Sequence, residues 1–106
     1  MSVNITPASA SNKILILVSV GYVYIPSGNN IRITLYRNNT TNLGNTDGFA
    51  WFNGLSGESS QNFHVYDSPS TTSSTNYQVY FKTSGASGDL GSNLIKSTIT
   101  ALEIKG

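Results

Sequence analysis

His64 stands three residues before Asp67 in a chain that carries 39 Ser, Thr or Asn residues, so a Ser-His-Asp arrangement is the first chemistry to test. Such a triad needs its nucleophile on a sharp, strained turn beside an oxyanion hole. Gly54-Leu55-Ser56-Gly57 and Gly85-Ala86-Ser87-Gly88 each fall one residue short of G-x-S-x-G. A strand histidine followed by a turn aspartate accounts for the pair without catalysis. The carboxylates Asp47, Glu58, Asp67, Asp89 and Glu103 could supply a glycosidase pair, but they are scattered over loops and strand ends and read as solubilising. Asn45–Gly48 has part of the form of a calcium loop, yet Leu43 and Gly44 stand where alternating oxygen ligands would be needed. With no cysteine and one histidine, the chain is poor in the residue types of metal, thiol and acid–base chemistry. The expectation is a protein that binds or assembles, not an enzyme, with no cofactor.

The aromatic residues are the better handle. Tyr22, Tyr24, Tyr36, Trp51, Tyr66 and Tyr80 fall opposite or beside apolar sets. Exposed Tyr and Trp beside Asn, Ser and Asp suit a sugar, whose apolar face stacks on the ring while its hydroxyls are hydrogen-bonded; the same rings enrich protein interfaces. Tyr36, Trp51, Tyr66, Asp67 and Tyr80 are therefore candidate ligand or partner contacts. Trp51, near a Gly-rich turn, reads first as core or subunit interface and second as a ligand contact. Tyr77 and Phe81 read as core.

The elements that would position these groups are strands, separated by turn clusters about every 8–12 residues. Lys13–Tyr24 (KILILVSVGYVY) is the strongest. Ile14, Ile16, Val18 and Val20 lie on one side, with Leu15 and Leu17 on the other. An antiparallel strand with one wet face should alternate, so this one must be covered twice, by an opposing sheet and by another subunit. Leu15, Leu17, Tyr22 and Tyr24 are the candidate subunit interface. Ser27-Gly28-Asn29-Asn30 reads as a hairpin turn. Ile31–Arg37 alternates, with Ile31, Ile33 and Leu35 inward and Arg32, Thr34 and Tyr36 outward. Val3–Thr6, Phe49–Phe52, Asn62–Tyr66, Tyr77–Lys82 and Thr98–Lys105 complete the strands. Asn38–Gly48, Ser68–Asn76 and Gly85–Asn93 are polar connections. No helical period is sustained. The fold class is all-β, an antiparallel β-sandwich of jelly-roll-like form, in one domain over residues 1–106.

Six Lys or Arg against five Asp or Glu leave a formal charge of +1, and the cations are scattered, so no nucleic-acid partner is expected. The Ser/Thr/Asn-rich start does not read as a signal peptide, and the longest apolar run, Ile14–Val20, is too short to insert in a membrane.

Three stretches carry a resemblance: SVNITPASASNKILILVSVG (2–21), YDSPSTTSSTNYQVYFKT (66–83) and STITALEIKG (97–106). They resemble a β-rich domain at the ends of tail-fibre and related virion proteins of aquatic bacteriophages. The D-S-P-S-T-T-S form of Asp67–Ser73 is the most specific piece. The resemblance implies a structural protein on the virion surface, outside the cell, acting as a homotrimer. Its partners would be other virion proteins and host cell-surface polysaccharide, and no catalytic residue carries over. In those fibres a further Ser/Thr-rich strand precedes the SVNITP segment, whereas this sequence begins there with Met1. That leaves either an excised tip or a small stand-alone protein, such as a capsid decoration (cement) protein on the outside of the head. A lectin-like carbohydrate-binding module is the further alternative.

Overall fold

A computed structural model describes residues 1–54, 58–92 and 94–106. They form nine strands: β1 (Ser2–Ile5), β2 (Lys13–Tyr24), β3 (Asn30–Arg37), β4 (Thr41–Asn42), β5 (Ala50–Asn53), β6 (Ser59–Asp67), β7 (Thr75–Thr83), β8 (Asp89–Leu90) and β9 (Thr98–Ile104). The strands make two antiparallel sheets. In the first, β7 lies between β1 and β3, and β3 pairs with both β4 and β5 on its other side. In the second, β2 is central, with β6 on one edge and β9 and then β8 on the other. The pairings β1–β7, β2–β6 and β3–β5 nest inside one another like a rolled hairpin, which is the jelly-roll pattern. The second sheet departs from it, because β8 and β9 take the free edge of β2.

Alternation decides which side chains meet between the sheets. Ile14, Ile16, Val18, Val20 and Val23 of β2 are buried against Ile31, Ile33 and Leu35 of β3, and Ile25 and Tyr77 join them. Each such aliphatic side chain contributes roughly 1.5–3 kcal/mol by leaving water. Phe49 and Phe63 stack across the sandwich at 5.0 Å. The β-branched Ile14, Ile16, Val18 and Val20 along one side of β2 favour the extended chain and fit this layer.

Several expectations need correction. Ser27–Asn30 does turn, with Gly28 at φ 84° and the Asn29 amide donating to the Pro26 carbonyl at 3.2 Å. It does not close a hairpin, since β2 and β3 lie in different sheets. Ile25 is fully buried at the exit of β2, and Pro26, which has no amide hydrogen, follows it as the chain crosses over the core. Asn38–Gly48 and Gly85–Asn93 are not purely connections, because they contain β4 and β8. Phe81 faces inward opposite Ile33 yet is 50% exposed. Its phase is inward but it does not join the buried cluster, and beyond Gln78 β7 is also an open edge because β1 pairs only with Thr75–Gln78.

A one-residue bulge interrupts β2 between Val20 and Val23. It returns Val23 to the core and leaves Tyr22 and Tyr24 in the outward phase. At the bulge, Ser97 accepts the Gly21 amide at 3.0 Å, and a Cβ on Gly21 would lie 2.5 Å from the Lys96 carbonyl oxygen and 2.7 Å from Ile95. The segment before β9 thus straps the outer face of the second sheet at Gly21. Gly21→Ala is expected to destabilise the fold by about 1–3 kcal/mol, read as a lower denaturant midpoint; an unchanged midpoint would show that the strap moves freely.

Candidate functional site

The outer face of the first sheet gathers three of the predicted contacts. Arg32 pairs across strands with Trp51 on one side and Lys82 on the other, Thr34 pairs with Tyr80, and Tyr36 pairs with Asn42 and Gln78. Residues opposite each other in an antiparallel pair share a face, so Tyr36, Trp51 and Tyr80 stand together. Tyr36 and Tyr80 stack at 4.4 Å with 20° between their planes. The Arg32 guanidinium lies 4.2 Å from the centre of the Trp51 ring, a cation–π contact. Trp51 is exposed, not core, and its indole donates to Asn53 at 2.9 Å. The Tyr80 hydroxyl donates to Asn39 at 2.9 Å.

Asp47, in sequence a scattered carboxylate within a part-calcium motif, completes this face by binding Arg32 at 2.8 Å. The turn that presents it is closed by the Gly48 amide donating to the Asn45 carbonyl at 2.9 Å, with Gly48 at φ 81°. The part-calcium motif thus holds an arginine through its carboxylate. Among the described residues no group of three or more His, Asp or Glu side chains is placed to hold a metal. A cavity of about 190 Å³ opens between β3, β7 and this turn, lined by Arg32, Tyr36, Asn42, Asp47, Tyr80 and Lys82.

Asp67 is not part of that face. It is buried where β6 ends, and it binds Arg37 through both carboxylate oxygens at 2.7 and 2.9 Å. The fully buried Tyr77 also donates to it at 2.7 Å. Arg37 and Tyr77 come from the first sheet and Asp67 from the second, so the three form a polar clamp across the sandwich. A candidate contact becomes a structural residue because its carboxylate is engaged on both oxygens. Burial, followed by the hydrogen bond to Asp67 and that carboxylate's charge, pushes the Tyr77 hydroxyl well above its ordinary 10.0.

Tyr66 lies on the other sheet. It pairs across strands with Leu15, which pairs in turn with Leu102, while Leu17 pairs with His64 and Thr100. Leu17, Tyr66 and Leu102 are 41%, 55% and 47% exposed, with Leu15 half-buried between them. This is an apolar outer face that the described residues leave largely uncovered. The expected interface is split. Leu15 and Leu17 lie on the open part of the face, while Tyr22 and Tyr24 lie beyond the strap at Gly21, beside β8. Partial burial and then the charges of Glu58 and Asp89 raise the Tyr22 hydroxyl above its usual 10.0.

The imagined His64–Asp67 pair does not form, because His64 is exposed on the outer face of β6 while Asp67 is buried in the clamp. Of the serine motifs, Gly54-Leu55-Ser56-Gly57 lies mostly outside the described residues, as does Asn93. Glu103, expected to be merely solubilising, holds the β1–β2 turn by accepting from Asn12 at 2.7 Å and from the Ala8 amide at 2.6 Å, and these bonds hold its carboxyl pKa below the ordinary 4.5. No helix among the described residues is long and apolar enough to cross a membrane. No family model, curated protein or solved structure matches this chain.

Proposed function

We propose that this chain is a non-enzymatic surface protein of a bacteriophage virion, an attachment domain of tail-fibre type that works as a homotrimer and meets host-surface polysaccharide. The observation that carries the reading is the uncovered apolar face formed by Leu15, Leu17, Tyr66 and Leu102. Contiguous exposed apolar surface of this kind marks an association site. A second copy is a fitting occupant, because the patch is nearly free of charge and the chain's net charge is only +1. Packing copies through this face leaves the opposite sheet, with Tyr36, Trp51 and Tyr80, pointing outward toward a ligand. The stretches 2–21, 66–83 and 97–106 that resemble virion proteins supply the setting.

Labelling purified particles with an antibody to the chain tests this. A few copies at the tail tip is the expected outcome. Hundreds of copies over the head would replace attachment by capsid decoration, and absence from particles would remove the virion role and bring a lectin-like module forward.

A further inference from the structure

Arg32 and Lys82 are directly opposite each other on β3 and β7, an arrangement that repels. Asp47 binds Arg32, and among the described residues Lys82 has no carboxylate partner. Both cations line the cavity of about 190 Å³ whose other wall includes the stacked Tyr36 and Tyr80. We infer that this cavity is a subsite for an acidic sugar residue of the uronic-acid class. Its carboxylate meets Lys82 and the Arg32 edge, and its ring lies against the tyrosines.

Size, charge and surface chemistry agree on this ligand. The volume is below the roughly 300–1,000 Å³ of ordinary small-molecule pockets, so it admits one ring and not a folded chain. A ligand carboxylate gives Lys82 the anion that Asp47 gives Arg32 and forms charge-assisted hydrogen bonds, about twice as strong as neutral ones. The tyrosine rings supply the apolar stacking surface that a pyranose uses. Asn42, whose side-chain oxygen already accepts from Thr34 at 2.6 Å and from the Gly44 amide at 3.0 Å, keeps its amide hydrogens for a hydroxyl. Trp51 stiffens Arg32 from the far side. One such site binds weakly, and a trimer that presents three of them can gain 10²–10⁴-fold in avidity, to order of magnitude. The inference rests on the attachment reading only for that last step.

The test is a titration of the isotope-labelled intact protein, following the Trp51 indole and Asn42 amide signals. The probes are methyl glucuronide, methyl glucoside and acetate. Saturable shifts with the glucuronide are expected, with affinity about tenfold weaker for the glucoside and for acetate. Lys82→Ala should erase the preference for the acidic sugar, and Tyr80→Ala should weaken both sugars. Equal affinity for the two sugars, no saturable shift, or an unchanged preference in Lys82→Ala would overturn the site. Missing shifts in a protein that decorates particles would overturn the sugar site alone. Shifts in a protein absent from particles would uphold the site and overturn the attachment role.

Discussion

Asp67→Ala is expected to cost about 3 kcal/mol of stability, near the lower end of the 3–5 kcal/mol typical when one partner of a buried pair is removed. The lower end applies because Arg37 keeps some contact with water, at 24% side-chain exposure. The lost partner leaves the Arg37 guanidinium without its two hydrogen bonds and strands the buried Tyr77 hydroxyl. For a domain of this size the melting temperature should fall by roughly 15 °C. Replacing Arg37, Asp67 and Tyr77 together by Met, Leu and Phe should recover most of the loss, since the apolar set leaves neither an unpaired charge nor a stranded hydroxyl. A fall of only a degree or two in Asp67→Ala would refute the clamp.

The same clamp sets an alkaline limit. Tyr77 holds its proton in the folded state to a higher pH than in the unfolded chain, where the ordinary value is 10.0. Its contribution is therefore complete below about pH 10 and is lost as the pH climbs above it toward the raised folded value. Denaturation followed from pH 8 upward should show that loss in the wild type and a flatter profile in Tyr77→Phe.

Leu17→Glu is expected to abolish self-association. The side chain is 41% exposed in the single chain, so the substitution should leave the fold intact and its melting transition present. In the proposed assembly the same position is covered, and an uncompensated carboxylate there would cost several kcal/mol for each copy buried. The mass in solution should drop to that of one chain, 11.3 kDa. An unchanged assembly would place the contact elsewhere, with Tyr22 and Tyr24 the next candidates.

Much of this fold was legible in the sequence, because alternation fixes faces. The Ile, Leu and Val of Lys13–Val20 mark β2, and strict alternation with Arg32, Thr34 and Tyr36 turns Ile31, Ile33 and Leu35 inward. What alternation does not give is the extent of cover. Phe81 has the inward phase and is still 50% exposed, because alternation says which way a side chain points and not whether the opposing sheet reaches it. Two-residue strands such as β4 and β8 leave no period to detect. The hairpin expected at Ser27–Asn30 failed because a turn motif specifies a reversal and not which sheet the next strand joins.

At the site, Tyr36, Trp51 and Tyr80 could be nominated because their residue types are conspicuous, but their meeting on one face depends on strand order. Asp67 was misassigned because its partners lie 30 and 10 residues away. A signal was available: Arg37 continues the inward phase of Ile31, Ile33 and Leu35, and a cation in an apolar phase calls for a buried anion. Asp47 looked like half of a turn motif, and only the fold shows that it faces Arg32.

The apolar outer face of the β6–β2–β9 sheet is proposed to be covered by other copies of the chain. Native mass by light scattering on the purified protein tests this most directly. Three times the 11.3 kDa of one chain is the expected mass. A single species at 11.3 kDa across the concentration range would contradict it.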